Sequence, residues 1–154
     1  MSEIKTIVKW FSDAKPNPTI EDACVQIGCH YEEVAEMAHS LNDRVHYKVN
    51  KTAELYKNKE VSHLISIEEA KLGTEGMDRV EILDSLCDQI VTAVGSAQYM
   101  GFDIIGALNE VIASNNSKRM PDGSFPLDEN GKITKESPNF FRPDLSKFTG
   151  GNND

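Results

Sequence analysis

The sequence predicts an all-α fold. Apolar residues recur at helical spacing over residues 80–95, and two further apolar segments follow the N-cap residues Thr19 and Asp103. The chain has 154 residues, which is enough for one substantial core. We therefore expect a single domain over residues 1–154, with a helical core at about 3–118 and a tail at about 119–148.

Five helices are expected along the chain. Prolines 16 and 18 end the first helix, and Gly101 follows the fourth, which we call the central helix. A short helix at 66–70 is also expected, and two glycine-containing turns predict that the tail forms a small hairpin or another ordered segment. The five helices are expected at Ile4–Phe11, Thr19 to about Leu41, 44–58, Val80 to about Met100, and Ile104–Ala113.

Composition excludes several classes of protein. The formal net charge of −9 disfavours a binder of duplex nucleic acid, which needs a basic surface. No run approaches the roughly 20 apolar residues of a membrane span, and the first residues do not resemble a signal peptide. The three cysteines form no Cys-x-x-Cys pair and indicate reduced thiols. We expect a cytoplasmic protein that does not bind membranes.

The central helix carries a row of acids opposite its apolar stripe. At about 100° per residue, Glu81, Asp84 and Asp88 lie within about 60° of one another. An exposed acidic face normally has basic partners at i,i+4, but residues 80–117 contain no Lys or Arg. The apolar stripe is expected to face the core and consists of Leu83, Leu86, Ile90, Val94 and Ala97. A solvated face is the alternative, but the pattern favours half of a metal site.

The second helix repeats this pattern. Its apolar stripe is expected to face the core and consists of Ile20, Cys24, Ile27, Tyr31, Val34, Ala38 and Leu41. Glu33 and Glu36 lie one turn apart and away from this stripe, with Glu32 beside them. Residues 19–43 contain no Lys or Arg, so these carboxylates also lack basic neighbours on their own helix. A solvated face is again the alternative.

The order of these motifs resembles the all-α nucleotide pyrophosphohydrolases, which include MazG-like, dimeric dUTPase-like and phosphoribosyl-ATP pyrophosphohydrolase-like proteins. The similarity covers roughly residues 19–147. It rests on Glu-Glu-x-x-Glu at 32–36, the later acidic row, and the Asn/Lys cluster at 114–118. The tail at 137–145 is particularly similar to a MazG-like subgroup of bacteria and phages. The resemblance implies a four-helix-bundle-like MazG-type domain.

The family pattern continues with Glu-x-x-Asp, and two registers are open for it. The resemblance implies Glu33 and Glu36 as the first pair of metal ligands. The spacing of Glu81 and Asp84 matches the second pair literally, whereas counting back from the end of the helix selects Asp88, with Asp84 nearby. The uncharged residues after Asp88 suggest that it lies deep in the bundle, so we rank Asp88 and Asp84 above Glu81.

The resemblance also implies the chemistry and the assembly. Mg²⁺, or alternatively Mn²⁺, would serve the hydrolysis of a nucleoside triphosphate to monophosphate and pyrophosphate, with Glu32 or Glu36 as the base. Asn115, Lys118 and Arg119 would contact phosphate or sugar. The protein is expected to form a homodimer or homotetramer.

Two other functions are compatible with the sequence. One is a non-enzymatic helical interaction module whose acidic faces are solvated or bind a basic partner. The other is an alarmone or modified-nucleotide hydrolase on the same scaffold. No motif in the sequence selects the base or the sugar.

Overall fold

The computed structural model describes residues 2–65 and 78–150, and these residues are almost entirely helical or irregular. The all-α prediction is therefore confirmed for the described residues, and the short helix expected at 66–70 lies outside them. Short 3-10 turns occupy Ser62–Ile65 and Ser146–Phe148. The α-helices are α1 (Glu3–Ala14), α2 (Ile20–Ser40), α3 (His46–Lys57), α4 (Arg79–Tyr99) and α5 (Ile104–Ser117).

The predicted caps start their helices. The Thr19 hydroxyl accepts from the Asp22 amide at 3.1 Å, and the Asp22 carboxylate accepts from the Thr19 amide at 3.0 Å, which completes a capping box on α2. Asp103 accepts from the Gly106 amide at 3.0 Å and caps α5. Asp78 caps α4, because its carboxylate accepts from two amides of the first turn.

Contacts divide the chain into two compact units. The α2/α3 unit consists of residues 17–77 and 127–132. The α1/α4/α5 unit consists of residues 1–16, 78–126 and 133–154. The single domain expected over the whole chain stays a prediction, and the two units are described separately below.

Small side chains form the core of the α2/α3 unit. Gly28 is central to it, because a β-carbon at this position would lie 2.8 Å from the Ala53 carbonyl oxygen. The backbones of α2 and α3 therefore approach closely, as small residues permit. The buried apolar residues of this unit are Cys24, Val25, Ala35, Ala38 and Ala53.

The buried face of α2 is rotated from the predicted one. Cys24 and Ala38 are buried as expected, but Ile20 is 43% exposed and Leu41 is 61% exposed. The buried residues of α2 are Cys24, Val25, Gly28, Ala35 and Ala38, which are mostly small, whereas the larger apolar residues Ile20 and Leu41 stay exposed.

The α1/α4/α5 unit buries only serines among its described residues, namely Ser114 and Ser137. The apolar stripe of α4 is open: Leu83 is 64% exposed and Ile90 is 54% exposed. Within the described residues of the α1/α4/α5 unit, this stripe therefore does not line a core, contrary to the prediction. Spacing shows that a helix has an apolar face, but it does not show that the same chain covers that face.

The tail is ordered, as predicted, and follows α5. The Ser114 hydroxyl donates to the Phe141 carbonyl at 2.7 Å, and the Phe141 amide donates to the Ser117 hydroxyl at 3.1 Å. Further along, the Asp103 amide donates to the Phe148 carbonyl at 2.8 Å. These bonds join the tail to both ends of α5.

Replacing Gly28 with alanine should destabilise the α2/α3 unit. The added β-carbon would lie 2.7 Å from the Lys57 amide nitrogen, which is too close for backbone atoms. We expect a loss of about 1–3 kcal/mol in the free energy of unfolding, as for other overpacked cores. Thermal and urea denaturation measure it.

Gly95→Ala is the matched control, because a β-carbon at Gly95 meets nothing within 4 Å. This variant should gain about 0.5–1 kcal/mol, since glycine is unfavourable inside a helix. Equal effects of the two substitutions would contradict close packing at Gly28.

Candidate functional site

One carboxylate of α2 holds two lysines. Oε1 of Glu32 lies 2.7 Å from Nζ of Lys57, and Oε2 lies 2.9 Å from Nζ of Lys132. We call Glu32, Lys57 and Lys132 the Glu32 cluster. Its side chains are 25%, 23% and 42% exposed, respectively, so the cluster is partly buried and still reached by solvent. All three residues belong to the α2/α3 unit.

Contacts of the backbone and of the side-chain stem set the positions of the two lysines. Lys57 is the last residue of α3, and its side-chain stem lies against Gly28. Lys132 ends a turn in which Oδ1 of Asp128 accepts from the amides of Asn130 and Lys132 at 2.9 and 2.8 Å. Because these contacts join residues 25 and 100 positions apart, no local pattern in the sequence could have revealed them.

The cluster determines the ionisation of Glu32. Partial burial acts to raise the pKa of the Glu32 carboxyl, but the hydrogen bonds and positive charges of Lys57 and Lys132 outweigh it, and the pKa is lowered from 4.5. The bond from Glu32 in turn raises the pKa of Lys132 above 10.5. A carboxylate with a lowered pKa accepts a proton poorly, so Glu36 is the better candidate for a general base.

Glu33 and Glu36 are both exposed on α2. The Glu36 carboxylate forms no ion pair with any residue of the described ranges, whereas its backbone carbonyl accepts from the Ser40 hydroxyl at 2.9 Å. Glu36 lies one turn beyond Glu32, and therefore on nearly the same face of the helix as the Glu32 cluster.

The acidic row of α4 is also exposed. Within residues 2–65 and 78–150, the carboxylates of Glu81, Asp84 and Asp88 take part in no ion pair or hydrogen bond. The expectation that Asp88 lies deep in a bundle is not met within the α1/α4/α5 unit, where Asp88 and the residues of α4 around it are exposed. Residues 80–117 contain no Lys or Arg, and in the described structure these three carboxylates also form no ion pair with a basic residue from elsewhere.

The predicted metal ligands are divided between the two units. Glu33 and Glu36 belong to the α2/α3 unit, and Glu81, Asp84 and Asp88 belong to the α1/α4/α5 unit. Among the described residues, no three His, Cys, Asp or Glu side chains come together in a way that could hold a metal ion. Exposed carboxylate oxygens are the donor type that Mg²⁺ prefers, so the residue types fit the ion.

Arg119 is occupied by structural contacts. Its guanidinium donates to the Gly123 carbonyl and to the Asp13 carboxylate, both at 2.9 Å, and lies 4.4 Å from the centre of the Phe125 ring. Lys9 and Arg119 together lower the pKa of the Asp13 carboxyl, with the bond from Lys9 as the larger cause. Arg119 therefore fastens the start of the tail to α1, which leaves it less suited to bind substrate than predicted.

Asn115 and Lys118 lie beside Trp10. The indole Nε1 donates to the Asn115 carbonyl at 3.0 Å, and Nζ of Lys118 lies 5.8 Å from the centre of the indole ring. Trp10 also lines a small open cleft, and Asn115 forms part of its lining. Trp10 itself is half-buried. The other residues of this cleft are Thr6, Ile7, Phe11, Ile112 and Asn116.

The chain matches no protein-family model, no curated protein and no solved structure. The resemblance to the all-α nucleotide pyrophosphohydrolases thus rests on the sequence motifs alone. Within the described residues, no helix combines the length and the apolar character needed to cross a membrane.

The Glu32 cluster should make stability depend on pH. Because the folded-state pKa of Glu32 is lowered, its stabilising contribution is present above its ordinary pKa and is lost as the pH falls through the folded value. Lys132 contributes below its ordinary pKa, and this contribution is lost as the pH rises through its raised value. The melting temperature of Glu32→Gln should therefore fall below that of the wild type at about pH 7 and approach it at about pH 3.

Glu129→Gln is the control, because Glu129 is an exposed carboxylate in the turn that precedes Lys132. Its melting temperature should follow the wild-type curve across the same pH range. A constant difference between Glu32→Gln and the wild type at every pH would contradict the ion-pair account.

Proposed function

We propose that this protein is a magnesium-dependent nucleoside triphosphate pyrophosphohydrolase. The observation that carries the proposal is the acidic row Glu81, Asp84 and Asp88 on α4, whose exposed carboxylates lack basic partners among the described residues. Carboxylates that share one helix face repel each other, and a divalent cation relieves this repulsion while binding through oxygen. The resemblance of the motifs supplies the reaction.

The donor set suits magnesium better than zinc. The proposed ligands are Glu33 on α2 with Asp84 and Asp88 on α4, whereas Glu36 is kept for the base, and all of them are oxygen donors. When bound, magnesium would neutralise substrate phosphates and lower the pKa of a bound water.

Three residues of the protein have roles in the proposed hydrolysis. A water molecule attacks the α-phosphorus, the bond from the α-phosphorus to the α–β bridging oxygen breaks, and pyrophosphate leaves with that oxygen. We assign Glu36 as the general base that accepts a proton from the attacking water, since Glu32 is paired with two lysines. Asn115 and Lys118, which lie together beside Trp10, are assigned to the phosphate or sugar.

We also propose that the protein is a homo-oligomer in which a second copy covers α4. Leu83, Leu86, Ile90 and Val94 form a continuous apolar stripe and are between 43% and 64% exposed. Burying one such side chain contributes about 1.5–3 kcal/mol. The stripe therefore provides a substantial driving force for association, and no apolar side chain is buried among the described residues of this unit.

A non-enzymatic interaction module is the second candidate, and the open stripe of α4 favours it because such a face could equally receive a different protein. Titration calorimetry with Mg²⁺ separates the candidates, since a solvated acidic face binds the ion only weakly. Pyrophosphate release from a panel of canonical, modified and alarmone nucleotides then identifies the substrate class.

Substitution of the acids tests the enzyme proposal. Glu36→Gln and Asp88→Asn should each lower turnover by about 100-fold or more, since both a base and a metal ligand are needed. Glu81→Gln should have a smaller effect than Asp88→Asn. Pyrophosphate release and Mg²⁺ titration are the measurements, and Glu129→Gln serves as a charge-matched control.

Wild-type turnover in both Glu36→Gln and Asp88→Asn would refute the assignment. Loss of magnesium binding in Glu81→Gln, with none in Asp88→Asn, would select the other register on α4.

A charge in the apolar stripe tests the oligomer. Ile90→Lys places an ammonium in the centre of the stripe and should shift the protein toward the monomer in sedimentation and light-scattering measurements. Ser96→Lys is the matched control, because Ser96 is exposed on the opposite face of α4. An unchanged oligomer in Ile90→Lys, or a monomeric wild type, would exclude association through this stripe.

A further inference from the structure

The Glu32 cluster holds more positive charge than its single carboxylate needs. Two ammonium groups lie within 2.7 and 2.9 Å of the two oxygens of Glu32, so the three side chains together carry a charge of +1. One lysine would suffice to pair with this carboxylate, and the second adds repulsion between like charges. An arrangement of this kind is suited to a further anion.

The lysines retain the donors that such an anion requires. An ammonium group has three N–H donors. Among the described residues, Nζ of Lys57 and Nζ of Lys132 each make one hydrogen bond, in both cases to Glu32. Two donors therefore remain on each lysine, and both nitrogens are held in place by the same carboxylate.

The positions of both lysines are fixed before any ligand arrives. The stem of Lys57 packs at Gly28, and the Asp128 turn sets the backbone of Lys132, where Gly131 has a φ of +84°. Fixed ammonium groups lose little rotamer entropy when an anion binds. The whole chain has a net charge of −9, which repels polyphosphates. Binding of a polyphosphate to this protein therefore requires a local group of positive charges.

We propose that Lys57 and Lys132, held by Glu32, form a binding site for a polyphosphate chain. The anion would lie on the side of the two ammonium groups away from Glu32 and accept from both. Glu36, one turn along α2 from Glu32, lies on the neighbouring part of the same helix face. The identification of the polyphosphate as the triphosphate of a nucleotide rests on the proposed function, whereas the anion site rests on the cluster alone.

This assignment changes the role of Glu32 from a base to a positioning residue. As a base, Glu32 would take the proton of the attacking water. As a positioning residue, Glu32 holds the two ammonium groups in place through its two carboxylate oxygens.

The experiment is calorimetric titration with tripolyphosphate at low ionic strength and without divalent metal, on the full chain. Lys57→Met and Lys132→Met should each weaken binding by about tenfold, as expected for the loss of one charge-assisted hydrogen bond. Lys147→Met is the matched control and should bind as the wild type does, because Lys147 pairs with Glu110 at 3.6 Å in the α1/α4/α5 unit.

Lys132→Arg is the conservative variant, because it keeps the positive charge at this position. It should retain most of the affinity for tripolyphosphate. The proposal is overturned if the wild type binds no tripolyphosphate, or if both methionine variants bind it within twofold of the wild type.

Turnover separates this inference from the proposed function. If tripolyphosphate binding depends on both lysines but no nucleotide is hydrolysed, the anion site stands and the hydrolase proposal fails. If nucleotides are hydrolysed with an unchanged KM in both methionine variants, the hydrolase proposal stands and the lysine site fails. A nucleoside monophosphate should bind more weakly than tripolyphosphate if the site recognises a polyphosphate chain.

Discussion

The close approach of α2 and α3 at Gly28 is the constraint on which the described chemistry of the α2/α3 unit depends. Because a β-carbon there would collide with the Ala53 carbonyl and with Lys57, only glycine allows the two backbones to meet. The same approach fixes Lys57 at the end of α3 and brings its ammonium to Glu32. The core and the pairing of Glu32 with Lys57 thus depend on one contact, whereas Lys132 is placed by the Asp128 turn.

The α1/α4/α5 unit is organised differently, through polar bonds from the tail rather than through an apolar core. Ser114 and Ser117 exchange hydrogen bonds with Phe141, and Arg119 joins the start of the tail to Asp13 on α1. The apolar stripe of α4 remains open. Its exposure is the physical reason for the proposed second copy, since an amphipathic helix is stabilised mainly by covering its apolar face.

Charge has opposite distributions on the two acidic helices. On α4 the carboxylates Glu81, Asp84 and Asp88 have no basic partners among the described residues, which favours a cation. On α2 one carboxylate, Glu32, is paired with two lysines, and the resulting net positive charge favours the binding of an anion. A phosphate ester carried with magnesium combines both kinds of charge, so the two observations are compatible with one class of substrate.

The sequence by itself determined the helices of the described residues, because caps such as Thr19 and Asp103 and apolar spacing are local signals. It also determined the acidic rows, since a helix places residues three and four apart on one face. Only the tertiary structure decided that Glu32 pairs with Lys57 and Lys132, that Arg119 is occupied by Asp13, and that the stripe of α4 is uncovered. These outcomes depend on contacts between residues distant in the chain, which local spacing does not encode.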